Sequence, residues 1–92
     1  LIIINPPYYP KKAKSIKEKA WFCGEDFEYF KSLFSQLPNF ITATNQVIMI
    51  LSEDCQINTI ISIASITKLK LMPIHKISKM GEISIIYRIN HM

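Results

Sequence analysis

Leu1-Ile2-Ile3-Ile4-Asn5-Pro6-Pro7-Tyr8 opens the chain with four apolar residues and stops them with two prolines. Three of the four are β-branched, and the run has no alternation. It therefore reads as a short strand, Leu1 to Ile4, buried on both faces in the manner of a parallel sheet. Neither proline can donate to a ladder, so Asn5-Pro6-Pro7 ends the strand. In open α/β sheets ligands bind at the carboxyl ends of the strands, which makes Asn5 to Tyr8 the segment to examine for chemistry.

The elements downstream follow from period and punctuation. Residues 8 to 24 read as a long basic loop. Phe27, Phe30, Phe34 and Leu37 recur at helical spacing and predict a helix from about Asp26 to Leu37. Asp26 is the expected N-cap, Glu25 and Glu28 suit the positive end of the dipole, and Pro38 is the expected stop. Val47-Ile48-Met49-Ile50-Leu51 predicts a second fully buried strand. Ser52, Glu53 and Asp54 are the expected cap of a helix carrying Ile57, Ile60, Ile61 and Ala64 on one face. Residues 69 to 77 read as a strand that Pro73 confines to an edge. A connection over Ser78 to Glu82, with Gly81, then leads to a last strand, Ile83 to Ile89. The order strand, helix, strand, helix, strand, strand predicts an α/β fold: parallel strands with crossover helices, ending in an antiparallel hairpin.

The 92 residues, 49% hydrophobic and 20% charged, suit one small globular domain at most. No apolar run is long enough to span a bilayer and no signal peptide is visible, so the expected location is cytoplasmic, with no membrane partner. The opening at Leu1, inside an apolar run, predicts a single partial domain over residues 1–92. Cys23 and Cys55 lack the paired spacing of a zinc or redox motif and are expected to be two free thiols. His75 and His91 have no partners at ligand spacing, so no metal site is expected. The net charge of +4 is local: Lys11, Lys12, Lys14, Lys17 and Lys19 against Glu18 account for all of it. A solvated loop and a polyanion contact are both compatible with that run.

Asn5 to Tyr8 has the residue types needed to grip a planar NH₂ group. The Asn5 side-chain carbonyl and the Pro6 backbone carbonyl are two acceptors for its two protons, which leaves the nitrogen lone pair aimed outward. Pro6 and Pro7 fix the backbone angles, so both acceptors are held in place beforehand. The Tyr8 ring can stack on the plane of the target and stabilise charge developing on its nitrogen. An Asn-Pro-Pro-aromatic run arises by chance on the order of once in a thousand chains of this length.

Ile2-Ile3-Ile4-Asn5-Pro6-Pro7-Tyr8 resembles the fourth strand and motif IV of class I S-adenosylmethionine-dependent N-methyltransferases. Ala20-Trp21-Phe22-Cys23-Gly24-Glu25-Asp26 is similar to the Ala…Gly-Glu-Asp-Gly element of the release-factor glutamine methyltransferases, with Phe27 in place of the last glycine. The resemblance implies the C-terminal half of a Rossmann-like sheet, its strands five, six and seven following in chain order with strand six at the edge. It implies Asn5, Pro6, Pro7 and Tyr8 as catalytic residues, and Asn5 as the one residue near the cofactor, S-adenosylmethionine. Transfer would be in-line, with no covalent enzyme intermediate and no required general base. The acceptor would be a release-factor glutamine or an exocyclic amine of a nucleic-acid base. The family's Gly-rich cofactor loop and ribose-binding acid would lie upstream of Leu1. The chain alone is therefore expected to be inactive and able to self-associate along the Leu1-Ile4 edge.

Two other functions fit parts of the sequence. Pro6-Pro7-Tyr8-Tyr9 matches the Pro-Pro-x-Tyr ligand of WW domains, although such ligands lie in polar segments and this one abuts an apolar strand. The lysine run with Tyr8, Tyr9 and Trp21 would serve a non-enzymatic nucleic-acid binder.

Overall fold

The computed structural model describes residues 1–6, 24 and 26–92. Strand β1 spans Ile2–Ile4, helix α1 Glu28–Gln36, strand β2 Val47–Ser52, helix α2 Ile57–Ile66, strand β3 Leu69–Lys79 and strand β4 Glu82–His91. They form a mixed α/β fold with one four-stranded sheet in the order β1-β2-β4-β3. β1 and β2 are parallel, and β4 runs antiparallel to both β2 and β3. The terminal hairpin thus folds back so that its second strand, not its first, pairs with β2. Pro73 lies on β3, an edge strand, with a register irregularity between Pro73 and His75. A proline can sit there because its missing donor faces no neighbour.

One side of the sheet holds the core. Val47, Met49 and Leu51 of β2 are buried with Tyr87 and Ile89 of β4 and Leu69 and Leu71 of β3, under Phe30 and Phe34 of α1 and Ile60, Ile63 and Ala64 of α2. Ile2 and Ile4 pack against this cluster while Ile3, on the opposite side, is 62% exposed. β1 is therefore not buried on both faces: both described helices lie on one side of the sheet. The same asymmetry leaves Ile48 and Ile50 of β2 half-buried rather than fully covered.

The aromatic stripe Phe27, Phe30, Phe34 and Leu37 is buried as its spacing predicts. A nine-residue helix is marginal by itself, so α1 depends on that face. Burial of each phenylalanine contributes about 1.5–3 kcal/mol, and the Phe30 and Phe34 rings stack at 5.9 Å. Its ends differ from expectation. The N-cap is Phe27, not Asp26, and no side chain caps it. Pro38 does not stop the chain abruptly, because a 3-10 turn over Leu37–Asn39 runs through it.

In α2 the inward face is Ile60, Ile63 and Ala64, whereas Ile61 points outward. Its N-cap is Gln56, so Ser52, Glu53 and Asp54 do not cap it. They form the turn that leaves β2: the Ser52 hydroxyl accepts from the Asp54 N–H at 3.2 Å, and the Glu53 N–H donates to the Ile83 carbonyl at 2.9 Å. The β3–β4 connection is tighter than Ser78 to Glu82. Only Met80 and Gly81 lie between the strands, both with positive φ, as a two-residue hairpin turn requires.

Among the described residues Phe27 is the one aromatic with left-handed backbone, φ 58°. That conformation costs about 1–2 kcal/mol in an L-residue and would cost a glycine nothing. The ring offsets it by packing into the core. Phe27→Gly should therefore lower stability by roughly 2–3 kcal/mol in urea unfolding although it relieves the backbone. A Phe27→Gly variant more stable than the parent would show that the ring contributes little.

Candidate functional site at the carboxyl end of the parallel strands

Ile4 is in register with Met49, so Asn5 and Pro6 leave β1 at the same end at which β2 runs out through Ser52. Asn5 is exposed and Pro6 is buried. The buried ring anchors the backbone directly behind an amide that is open to solvent. Pro7, Tyr8, Tyr9, the Lys11 to Lys19 run, Trp21, Cys23 and Glu25 lie outside the described residues. Of the four expected catalytic residues, Asn5 and Pro6 can therefore be positioned.

In chain order α1 follows β1 and precedes β2, and the entry to the helix is shaped by Gly24. Gly24 has φ 92°, and a Cβ on it would collide with the Glu28 carboxylate. The Glu28 Oε1 accepts from the Asp26 N–H at 3.4 Å. Gly24 and Phe27, the first and last positions of the Gly-Glu-Asp-Gly-like element, thus both adopt positive φ. Phe27, which is not a glycine, adopts the backbone that glycine favours.

On the β2 side, Ser52 is buried and its main-chain carbonyl accepts from the Cys55 N–H at 3.1 Å. Beyond it an open hollow of about 400 Å³ is lined by Glu53, Cys55, Gln56, Ile57, Asn58 and Thr59. Cys55 is half-buried against the core. Spacing does not reveal Ser52 as the hinge of this turn, although a serine directly after an apolar strand and before Glu-Asp is an ordinary turn former. Among the described residues no three His, Cys, Asp or Glu side chains converge. His75 is exposed on β3, and the His91 ring is 3.1 Å from the Ile41 carbonyl. Among the described residues no helix is long and apolar enough to cross a membrane.

The chain matches no family model, and no curated protein sequence matches it.

Burial raises the Tyr87 hydroxyl above its ordinary value of 10.0, and the nearby Cys55 thiol adds to the effect. Burial alone raises Tyr29. In the unfolded chain these phenols ionise near pH 10, whereas the folded chain holds their protons to higher pH. Their contribution is thus fully present below about pH 10 and is lost as pH rises through the folded value. Tyr87→Phe should lessen the loss of stability above pH 10, read as the slope of the unfolding free energy against pH. An unchanged slope would remove Tyr87 from the account.

Proposed function

We propose that this chain forms the acceptor-binding part of a class I S-adenosylmethionine-dependent N-methyltransferase that acts on a planar amide or exocyclic amine. The observation that carries this reading is Asn5-Pro6, exposed amide before buried ring, at the carboxyl end of a strand in a parallel pair. The sheet order supports it. β3 at the edge, with β4 inserted beside β2, corresponds to strands six and seven of such an enzyme following strand five, with strand six outermost.

The chain's own groups define what they would do. The Asn5 carbonyl and the Pro6 main-chain carbonyl accept the two N–H bonds of the target and fix the rotation of its plane. With both protons held, the lone pair points away from these acceptors. The buried Pro6 ring keeps the second acceptor still, so little reorganisation is needed when charge develops on nitrogen. Tyr8 is assigned to the face of the target by resemblance. S-adenosylmethionine, when bound, supplies an electrophilic methyl group. The residues present fit the reacting end of that cofactor and not its adenosine. Gly24 stands before α1 and Gly81 between β3 and β4, so no glycine-rich loop follows a parallel strand within these 92 residues. The cofactor would then be held mainly by residues outside the chain, in the cytoplasm, with a release factor or a nucleic acid as acceptor.

In the intact enzyme Asn5→Ala should lower the rate of methyl transfer by about 10²–10³ and leave cofactor affinity within a few fold. Tyr8→Phe should be tolerated and Tyr8→Ala should not, because stacking needs the ring. Near-normal turnover of the Asn5→Ala enzyme would exclude the assignment. Titration calorimetry tests the division of labour separately: the 92-residue chain should not bind S-adenosylmethionine, and micromolar binding would place the cofactor site within it.

A further inference from the structure

At the end of the sheet opposite to Asn5, an open hollow of about 480 Å³ lies between the segment entering β2 and the last residues of β4. Thr42, Thr44, Asn45 and Gln46 line it from the segment, Arg88 and Asn90 from the strand, and no described residue lining it is an acid. Arg88 is half-buried, with Ile48 and Met72 as its cross-strand neighbours. The Gln46 side-chain carbonyl accepts from its Nε at 3.3 Å and its Nη2 at 2.8 Å, and the guanidinium meets no carboxylate among the described residues. Gln46 is itself tied down, its main-chain carbonyl accepting from the Ile2 N–H at 2.7 Å. Lys70, in register with Asn90, adds a second cation beside the hollow. β3 carries no acid, and Glu82, the one acid of β4, stands at the other end of that strand. A half-buried cation held in place by a neutral amide is left short of a counter-charge.

We infer that the hollow is a binding site for a phosphate group. Gln46 occupies one edge of the guanidinium and leaves Nη1 and the second hydrogen of Nη2, a pair with which arginine grips an oxyanion in a fork. The Thr42 Oγ1 accepts from the Thr44 N–H at 3.3 Å and the Asn45 N–H at 3.1 Å, which fills both of its lone pairs. Its own hydrogen is then the one that goes to the Thr44 Oγ1, 3.3 Å away, and the Thr44 hydroxyl is left as a donor. The Asn90 Nδ2 gives one hydrogen to the Met72 sulfur at 3.0 Å and keeps the other. Donors thus stand on both sides of the hollow: a fork, a hydroxyl and an amide. A planar carboxylate is satisfied by the fork alone, whereas the oxygens of a phosphate diverge and can also take the hydroxyl and the amide. The volume is in the range of small-molecule sites, with room for whatever the phosphate is attached to. The site uses none of the residues assigned to methyl transfer and stands or falls without that reading.

A site open to solvent binds weakly, and its affinity falls with salt. Two-dimensional proton–nitrogen NMR of the 92-residue chain, titrated with inorganic phosphate and with glycerol phosphate at fixed ionic strength, tests it. Saturable shifts at the amides of Thr44, Asn45, Arg88 and Asn90 are expected, with a dissociation constant of about 0.1–1 mM. Arg88→Lys keeps the charge and loses the fork, and should weaken binding about five- to tenfold. Thr44→Val, on an exposed segment, should weaken it about threefold. Neither position belongs to the buried core, so both variants keep the fold, as their spectra would verify. Tighter binding of glycerol phosphate would mark an ester as the ligand, and equal or tighter binding of inorganic phosphate would mark the free ion. No saturation by about 20 mM of either compound would overturn the proposal. So would equal affinity for acetate, or an Arg88→Lys chain that binds as tightly as the parent.

Discussion

β2 is the element on which the remaining geometry depends. It is paired on both sides, in parallel with β1 and antiparallel with β4, and its Val47, Met49 and Leu51 are buried almost completely. Those three side chains set which face of the sheet meets Phe30, Phe34 and Ile60. Because the side-chain period of a strand is two, a slip of one residue would turn Ile48 and Ile50 inward and expose the others. The register is therefore strongly determined. Through it the positions of Ile4, and so of Asn5 and Pro6, are determined as well.

Conflicts between local preference and tertiary packing are concentrated at the connections. Phe27, Lys68 and Met80 adopt positive φ without being glycine. Each is held differently: Phe27 by its buried ring, Lys68 by main-chain bonds on both sides, and Met80 by the two-residue turn it shares with Gly81. The Lys68 N–H donates to the Ser65 carbonyl, and the Lys68 carbonyl accepts from the Met92 N–H. α2 shows the same tension within an element. Its five isoleucines are poor helix formers, and packing of Ile60, Ile63 and Ala64 on the sheet overrides that preference.

What can be read from the chain alone depends on how sharply periodicity constrains it. The phenylalanine stripe of α1 and the apolar run of β2 are long enough to name both type and buried face. Pro73 identifies an edge strand by chemistry alone. The inward face of α2 is ambiguous in sequence because isoleucine occupies Ile57, Ile60, Ile61, Ile63 and Ile66, so that several stripes are equally apolar. The caps differ for another reason. Asp26 and Asp54 are good cap residues, but the backbone entering each helix is shaped instead by the close approach of Gly24 to Glu28 and by the burial of Phe27 and Ser52, which cap preference does not report. The motif of the proposed site is legible as Asn5 to Tyr8. The contrast between exposed Asn5 and buried Pro6 is not, since it arises from the packing around the end of β1.

The two edges of the sheet differ in a way that bears on the proposed enzyme. β3 carries Pro73, a register irregularity and lysines at positions 70, 76 and 79, all devices that keep an edge from recruiting another strand. β1 has none of them: it is three isoleucines, without charge or proline, paired on one side only among the described residues. A short apolar edge of that kind tolerates a further strand alongside it, whereas β3 resists one. If a cofactor-binding half extends the sheet, β1 is the edge at which it can do so, and an added parallel strand would end near Asn5. The same apolar strand would then serve twice, as the join between the halves and as the stem that presents the acceptor-binding amide to whatever the neighbouring strand holds.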